Sequence, residues 1–434
     1  MRRRTFAATP PMHAAIVLIV LILTYAGMAA GRVAWLQVDR TGIALLAVIA
    51  LLVSGEVNLD QVGTNVDLPT LALLFAMMII SAQFAESGFI DLCARTFTST
   101  RHGTTVLLAL TVAIGGALSA VLANDILIIT MAPLLIVGAR ARGCDPRPFV
   151  IALAASTNAG SAATLIGNPQ NILVGEIGRL GFSKFFLICV VPSIFALVTV
   201  FVVVWLQWRR RIYAGELADP PDLPPVVSHP FDRNQVIKGA VALAALLLLF
   251  LTPLPREVGA LFIAAVLLAN RKIGSRTMIA TVDWPLLLLV ACLFAITGAL
   301  NQAGIAAPVL AFLQTHNLLP NGLVPLTLFS VFTSNAIGSL PGTMLLLQIW
   351  QTPPQAVLYS LALLSTLSGN LLLSGSLTNV LIAERAERMG ARIGFVEHAR
   401  AGVPIALISL AFALFWLGIT HRLPWLPTPI PVDQ

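Results

Sequence analysis

Apolar runs of membrane-spanning length recur from one end of the chain to the other, and they restrict its fold more than any other feature. A helix needs about 20 apolar residues to cross the hydrocarbon core, where its backbone polar groups must be satisfied within the segment. Hydrophobic residues make up 58% of the 434 residues and charged residues 10%, against roughly 25% charged in a soluble domain. The sequence therefore predicts an all-α polytopic protein embedded in a lipid bilayer.

The spans follow from the positions of these runs. Ten runs are read as membrane-spanning helices: 14–30, 41–52, 69–84, 149–174, 185–208, 236–251, 258–268, 284–300, 357–383 and 403–419. Two further regions, 104–137 and 323–350, are too long for one span and are interrupted by polar residues near the middle. Each is either two short spans or a re-entrant hairpin. We interpret them as an inner hairpin (104–137) and an outer hairpin (323–350), beside about ten transmembrane helices.

The distribution of basic residues predicts the orientation. With the N-terminus outside, about 19 of the 26 Lys and Arg residues fall in inner loops, as the positive-inside rule requires. The three N-terminal arginines favour the opposite orientation, which stays the alternative. The Pro-rich stretch 209–235 then becomes a cytoplasmic linker between a first half (1–208) and a second half (236–434).

Several common functions lose support from the sequence. It contains no phosphate-binding G-x-x-x-x-G-K-[ST], no G-x-G-x-x-G and no H-E-x-x-H motif, and its four cysteines are scattered. The net charge of +7 comes from basic residues between apolar runs, where they set topology. We therefore expect no nucleic-acid partner, no ATP hydrolysis by this chain and no enzymatic activity.

An internal repeat relates the two halves. The pattern V-D-x-P begins at Val66 and again at Val282, in both cases 22 residues before a glycine. Each copy is followed by an interrupted hairpin, a broken helix (149–174 or 357–383) and a final span. Because five spans separate the copies, the second copy is inverted in the membrane. Inverted repeats with broken helices that meet at the midplane are typical of secondary transporters.

Four polar interruptions occupy corresponding places in the repeat. In the hairpins, Asn124 aligns with Asn335 when both are matched by residue type. In the broken helices, Gly167 and Gly375 each precede an asparagine by four residues. A broken helix frees N–H groups that attract anions and C=O groups that bind cations. Such a site needs no Arg or Lys in the membrane core. The alternative is that these small residues only permit close helix packing.

Asp125 is the one carboxylate that the sequence places well inside an apolar hairpin. An ionisable group at that depth is costly, so we expect it to carry a proton or bind a cation. The alternative is that the hairpin tip is exposed to water and Asp125 caps the following half-helix.

The chain resembles the ion transporter superfamily, and within it the group of arsenite permeases, citrate transporters and divalent anion:sodium symporters. The resemblance rests on A-N-D at 123–125, N-A-G-S-A-A-T-L-I-G-N-P-Q-N from Asn158, S-G-N and G-S-L-T-N after Ser368, and the tail A-E-R-x-G-x-R-I-G-F. It extends from about residue 66 to residue 419. In this group each half supplies a re-entrant hairpin and a broken helix, and a substrate-carrying region moves against a scaffold.

The resemblance implies a two-part binding site for substrate and coupling ion. With the polar pattern of the interruptions, it predicts these residues: Asn124, Asp125, Ser156, Thr157, Asn158, Thr164, Gly167, Asn168, Asn171, Ser334, Asn335, Ser368, Gly369, Asn370, Gly375, Ser376, Thr378 and Asn379. A Na⁺ site is expected at Asn124, Asn158, Asn335 and Asn370. No cofactor is expected besides a coupling ion, H⁺ or Na⁺, and the resemblance implies a homodimer.

Two departures from the sodium-coupled relatives bear on coupling. Ala-Asn-Asp replaces Ser-Asn-Thr in the first hairpin, and Pro-Gln-Asn replaces Pro-Pro-Asn at 169–171. Together they weaken the expectation of dicarboxylate specificity and of Na⁺ coupling. Ala-Asn-Asp is closer to the arsenite-permease side of the group, which favours proton coupling through Asp125. We expect a secondary transporter of a small anion (arsenite, another inorganic anion or a carboxylate) in a bacterial-type inner membrane. The alternatives are a Na⁺/H⁺ antiporter of the same superfamily, a passive anion channel and, with least support, an intramembrane enzyme.

Overall fold

The fold is helical throughout the part of the chain that the structure describes. A computed structural model describes residues 11–30, 38–99, 103–210, 229–420 and 424–425. Within these ranges lie twenty α-helices and one short 3₁₀ helix, and no strand. Most of the predicted linker (residues 211–228) and the three N-terminal arginines lie outside the described residues.

The helices form two series of ten. The first series is α1 (Pro11–Ala30), α2 (Arg40–Val53), α3 (Leu59–Asn65), α4 (Leu68–Glu86), α5 (Phe89–Ser99), α6 (Thr104–Ser119), α7 (Asn124–Ala141), α8 (Arg147–Ser161), α9 (Pro169–Ile177) and α10 (Phe182–Trp208). The second is α11 (Arg233–Leu249), α12 (Arg256–Leu268), α13 (Ser275–Ala280), α14 (Trp284–Gln302), α15 (Ala306–Thr315), α16 (Leu323–Ala336), α17 (Ser339–Ile349), α18 (Gln355–Ser368), α19 (Leu377–Arg388) and α20 (Phe395–Thr420). The 3₁₀ helix, Leu373–Gly375, lies between α18 and α19.

The two series of helices also share details of local structure at α4 and α14. Asp67 caps α4 by accepting a hydrogen bond from the Thr70 N–H, and Asp283 caps α14 in the same way. Gly88 and Gly304 follow these helices with φ of +71° and +70°, a conformation that glycine adopts without steric cost. In each case the second residue comes 216 positions after the first. The repeat predicted from V-D-x-P is therefore a repeat of structure, while its inversion in the membrane stays a prediction.

The predicted spans are helices. Six helices in the described residues are long and apolar enough to cross a membrane, and α2, α6, α15, α16, α17 and α18 are shorter apolar helices. Four helices were not predicted: α3, α5, α13 and α15. They are short helices between spans, although α3 has a recognisable capping box, in which Asn58 and Gln61 exchange hydrogen bonds of 2.8 Å. The linker also ends earlier than residue 235, because α11 begins at Arg233.

The helices pack in two groups. The scaffold group consists of α1–α4 and α11–α14, in which α4 packs on α12 and α2 packs on α14. The broken-helix group consists of α5–α10 and α15–α20, in which α8 packs on α6 and α10, and α18 packs on α16 and α20. Helices α4 and α14 contact α7, α9 and α17 across the boundary between the groups.

Hydrogen bonds in the two hairpins show that one predicted alignment is wrong. Ser119 donates to the carbonyl oxygen of Thr157, and Ser334 donates to the carbonyl oxygen of Ser365 at 3.2 Å. Ser119 therefore corresponds to Ser334, and Asn124 at the start of α7 corresponds to Ser339 at the start of α17. Matching Asn124 with Asn335 was wrong, because Asn335 lies in the preceding helix.

Candidate functional site

The first broken helix is held by the asparagine of its G-x-x-x-N motif. Asn171 Nδ2 donates to the carbonyl oxygens of Ser161 at 3.1 Å and Thr164 at 2.9 Å. These carbonyls belong to the end of α8 and the break, where the helical ladder stops. A Cβ on Gly167 would lie 2.2 Å from the Ser161 carbonyl oxygen. Only glycine therefore fits at 167 without a backbone shift.

The second broken helix is held in the same way. Asn379 Nδ2 donates to the carbonyl oxygens of Gly369 at 2.8 Å and Leu372 at 3.2 Å. A Cβ on Gly375 would lie 2.9 Å from the Gly369 carbonyl oxygen and 2.5 Å from Asn335 Oδ1. The four residues of this arrangement, Gly369, Leu372, Gly375 and Asn379, each come 208 positions after their first-half counterparts. The two breaks are therefore one local structure built twice.

A buried amide network joins the two breaks. Asn158 Nδ2 donates to Asn370 Oδ1 at 2.9 Å and to Asn379 Oδ1 at 3.0 Å. Ser376 Oγ donates to Asn158 Oδ1 at 3.0 Å, and Asn370 Nδ2 donates to the Ala155 carbonyl at 3.2 Å. Buried polar groups are costly unless they are hydrogen-bonded, so this network fixes the halves against each other at one geometry.

A second polar cluster was not predicted. Gln170 Nε2 donates to Thr366 Oγ1 at 2.9 Å, and Ser339 Oγ donates to Gln170 Oε1 at 3.0 Å. Asn168 Nδ2 lies 3.2 Å from both Thr366 Oγ1 and Ser161 Oγ. No alignment of the two halves by residue type places Thr366 or Ser339 beside Gln170. The signal that could have found Ser339 is its position at the start of α17, opposite Asn124.

Four helix N-termini surround a cavity of about 70 Å³ at the boundary between the two groups. Helices α7, α9, α17 and α19 begin there, at Asn124, Pro169, Ser339 and Leu377. The N-cap residues of α7, α17 and α19 make no side-chain cap hydrogen bond, whereas Asn168 caps α9. Helix N-termini carry partial positive charge and free N–H groups. The cavity is therefore suited to negatively charged or electron-rich oxygen atoms.

The predicted site residues divide into a wall and a surrounding layer. Those on the wall are Asn124, Asp125, Asn158, Gly167, Asn168, Gly369, Ser376 and Thr378. Those beyond the wall are Ser156, Thr157, Thr164, Asn171, Ser334, Asn335, Ser368, Asn370, Gly375 and Asn379. Of the four asparagines predicted for Na⁺, only Asn124 and Asn158 face this cavity, because Asn335 and Asn370 hold backbone carbonyls behind it.

A larger vestibule of about 980 Å³ adjoins the cavity. Asp125 and Arg40 line both spaces and mark their junction. The vestibule is also lined by Asp39, Asp283 and Glu384. Arg40 begins α2 and donates from Nη2 to the Ser374 carbonyl at 3.3 Å, so a basic residue from a predicted loop borders both spaces.

The comparisons with known proteins agree with this architecture. A family profile described as "Citrate transporter" matches residues 16–352. The chain belongs to the citrate transporter family. The matched range contains the first half from residue 16 onward, the scaffold helices of the second half and the second hairpin. As a member of this family, the protein is a multi-pass membrane transporter.

Individual relatives cover nearly the whole chain. The 46 kDa membrane protein of Mycobacterium leprae is 30% identical over 94% of this chain and 98% of its own length. The silicon efflux transporter LSI3 of Oryza sativa is 23% identical over 89% of this chain and 94% of its own. The crystal structure of the Alcanivorax borkumensis YdaH transporter shares the fold, with a TM-score of 0.59 and 16% identity over 96% of this chain and 99% of that one.

Proposed function

We propose that this member of the citrate transporter family is a secondary active transporter that binds a small anion in the cavity between the two breaks. Arsenite, another inorganic oxyanion and a carboxylate are the candidate substrates. The convergence of four helix N-termini carries the proposal, since their N–H groups and dipoles stabilise negative charge without a buried lysine or arginine. The rice relative is named a silicon efflux transporter, which adds silicic acid to the solutes worth testing.

Coupling to H⁺ through Asp125 is the second part of the proposal. Asp125 lines the cavity beside Asn124 and also faces the vestibule, from which a proton can reach it. A neutral Asp125 removes the like-charge repulsion that a carboxylate would exert on a bound anion. Proton binding and anion binding then favour each other, as a symporter requires.

Coupling to Na⁺, or Na⁺/H⁺ antiport, is the second candidate. The observation that favours it is that Asn124, Asp125 and Asn158 all line the cavity. Their amide and carboxylate oxygens are ligands of the kind that hard cations accept, and each amide oxygen keeps a lone pair beyond its protein hydrogen bond.

Alternating access follows from where the cavity lies. Arg40, Leu74, Met77, Leu286 and Leu289 of the scaffold group form one side, and the helix N-termini of the other group form the opposite side. Movement of the broken-helix group against the scaffold group would therefore open the cavity to one face and then the other. The predicted orientation puts the vestibule on the cytoplasmic side. The inner-membrane location and the homodimer belong to the same proposal.

The experiment is transport by the purified protein in liposomes. Arsenite, sulfate, citrate, succinate and silicic acid are offered under imposed pH or Na⁺ gradients. We expect one of them to accumulate against its gradient, in a saturable manner, when a pH gradient is imposed. Flux that never exceeds equilibrium would indicate a passive channel instead.

Asp125→Asn tests the coupling group. The variant should lose accumulation driven by the pH gradient and keep its elution profile in detergent. Glu387→Gln is the matched control, because Glu387 is an exposed carboxylate paired with Arg392. Unchanged proton-driven uptake by Asp125→Asn would remove Asp125 from the mechanism, and dependence on Na⁺ alone would favour the second candidate.

A further inference from the structure

Two arginines occupy equivalent positions in the internal repeat. Arg40 is the first residue of α2, and Arg256 is the first residue of α12. They are 216 residues apart, the same spacing that relates Asp67 to Asp283. Both arginines therefore project from the start of a scaffold helix towards the broken-helix group.

Arg256 holds the end of the first broken helix. Its Nη1 lies 3.5 Å from Glu176 Oε1, and its Nη2 donates to the Leu180 carbonyl at 2.9 Å. The guanidinium also stacks over Phe250 at 5.2 Å from the ring centre. The side chains of Arg256 and Glu176 are only 19% and 15% exposed, so water screens their attraction incompletely. This contact joins α12 of the scaffold group to the C-terminal end of α9.

The equivalent residues in the other half, Arg40 and Glu384, line an open space. The counterpart of Glu176, 208 residues later, is Glu384, and Arg40 and Glu384 both line the vestibule of about 980 Å³. Arg40 bonds to the Ser374 carbonyl, which lies before the start of α19. A Cβ on Gly338 would lie 3.2 Å from Arg40 Nη1, so the guanidinium also lies against the start of α17. Arg40 thus contacts the N-terminal end of its broken helix, whereas Arg256 contacts the C-terminal end.

The apolar side chains of α9 and α19 beside these pairs also differ in burial. Leu173 on α9 is fully buried and Ile172 is 5% exposed, and α9 packs against α4. Their counterparts on α19, Leu381 and Val380, are only partly buried and line the vestibule. Leu377, one turn before them, is 38% exposed. The side of the molecule with Arg256 is therefore closed, and the side with Arg40 is open.

We propose that the pairs Arg256–Glu176 and Arg40–Glu384 are alternating gates. In the conformation described here the first pair is formed and closes one side of the cavity. In the opposite conformation Arg40 releases Ser374 and pairs with Glu384, while Arg256 and Glu176 separate. A contact made in only one of two conformations shifts the equilibrium by its full free energy. The proposal rests on the alternating-access mechanism of the proposed function.

The test measures cysteine accessibility and needs no substrate. In a background where Cys93, Cys144, Cys189 and Cys292 are replaced by alanine, Leu173→Cys reports opening of the closed side. Leu381→Cys reports the open side in a second protein. Both are labelled in liposomes with a membrane-impermeant maleimide, added inside or outside. Leu173 is buried and Leu381 lines the vestibule, so Leu381→Cys should label faster in the starting protein.

Glu176→Gln should then raise labelling of Leu173→Cys about tenfold and lower labelling of Leu381→Cys, because it removes a contact that favours the conformation with the first pair formed. Glu387→Gln is the matched control, because Glu387 is an exposed carboxylate paired with Arg392, and it should leave both rates unchanged. Reversing the pair, with Glu176→Arg and Arg256→Glu together, should move both rates part of the way back, because the ion pair is restored while the Arg256 hydrogen bond to the Leu180 carbonyl is lost.

Equal labelling rates in Glu176→Gln and its control would overturn the proposal. If Glu176→Gln does not fold, Glu176→Asp shortens the side chain, keeps the charge and should give a smaller shift in the same direction. The proposed function fails separately, when no solute of the panel accumulates in liposomes although the labelling rates shift as expected. Coupled uptake without any shift in labelling would instead reject only the gates.

Discussion

The two broken helices have nearly the same local structure but different surroundings. In each break one asparagine side chain bridges two freed carbonyls, and one glycine lies against the end of the preceding helix. Yet α9 is packed on the scaffold group and α19 borders an open vestibule. The difference lies in how each broken helix sits against its scaffold helices, not in how it is built. The two copies of the repeat therefore show one unit in two different positions against the scaffold group. Alternating access requires that such a unit can take both positions.

The largest expected effect is at a backbone contact that only the first half makes. A Cβ on Gly160 of α8 would lie 2.1 Å from the Gly116 carbonyl oxygen, whereas its counterpart in the repeat, Ser368, carries a side chain that donates to the Leu364 carbonyl at 2.6 Å. Gly160→Ser should lower the free energy of unfolding by about 3 kcal/mol, because two helix backbones must separate. Ser368→Gly should cost only about 1 kcal/mol. Thermal unfolding in detergent measures both, and equal losses would contradict this asymmetry.

The next effect concerns the glycines of the two breaks. An added Cβ at Gly167 meets the Ser161 backbone, whereas at Gly375 the nearest atom belongs to the Asn335 side chain. Since a side chain adjusts more easily than backbone, Gly167→Ala should destabilise by about 2 kcal/mol and Gly375→Ala by about 1 kcal/mol. Gly181→Ala is the control, because nothing lies within 4 Å of the position that its Cβ would occupy. A larger loss at Gly375 would mean that the second break is the more rigid one.

Replacing the asparagines of the two breaks should give losses of unfolding free energy that differ less than those of the glycines. Asn379→Ala frees two carbonyls and also the amide of Asn158, which donates to Asn379 Oδ1. Asn171→Ala frees two carbonyls in the same way. We expect losses of about 2 and about 1.5 kcal/mol, since unsatisfied buried groups cost about 1–3 kcal/mol. Asn234→Ala, at an exposed position of α11, provides the baseline for the same unfolding measurement. If Asn171→Ala were costlier, the network around Asn158 would contribute little.

The smallest expected effect on stability is at the aspartates that cap the scaffold helices α4 and α14. Burial raises the pKa of Asp283, so its ionised form destabilises the folded protein. Stability conferred by Asp283 should therefore increase as the pH falls through this raised pKa. Asp283→Asn keeps a good N-cap and removes the charge, so its Tm should exceed that of the original protein near pH 8. The gap should vanish below about pH 4, where the carboxyl is protonated in both states.

Asp67→Asn is the matched substitution at the start of α4. Both aspartates cap a scaffold helix through one backbone N–H. The pH series of Tm for the two variants compares the same cap on the two sides of the cavity. A constant gap for Asp283→Asn across the pH range would show that cap geometry, not charge, causes the effect.

Much of the fold could be predicted from local signals. Apolar length identified the spans, V-D-x-P marked the starts of α4 and α14, and Gly167 and Gly375 marked the breaks. Helix α15 and the short helices α3, α5 and α13 were missed, because length and hydropathy do not separate such helices from loops. Asn124 was matched with Asn335 because both are asparagines, although their positions within the helices differ. Residue type is a weaker guide to equivalence than the carbonyl to which a side chain donates.

The sequence by itself determined the helical membrane fold, the repeat and the family, because these depend on apolar length, local capping and short motifs. The tertiary structure alone decided which polar residues face the cavity. Asn370 and Asn379 looked like ligands, yet their side chains hold the breaks. Arg40 looked like a loop residue, yet it lines the cavity. The reason is physical: a buried amide or guanidinium bonds to the groups that packing places around it, and those groups come from distant parts of the chain.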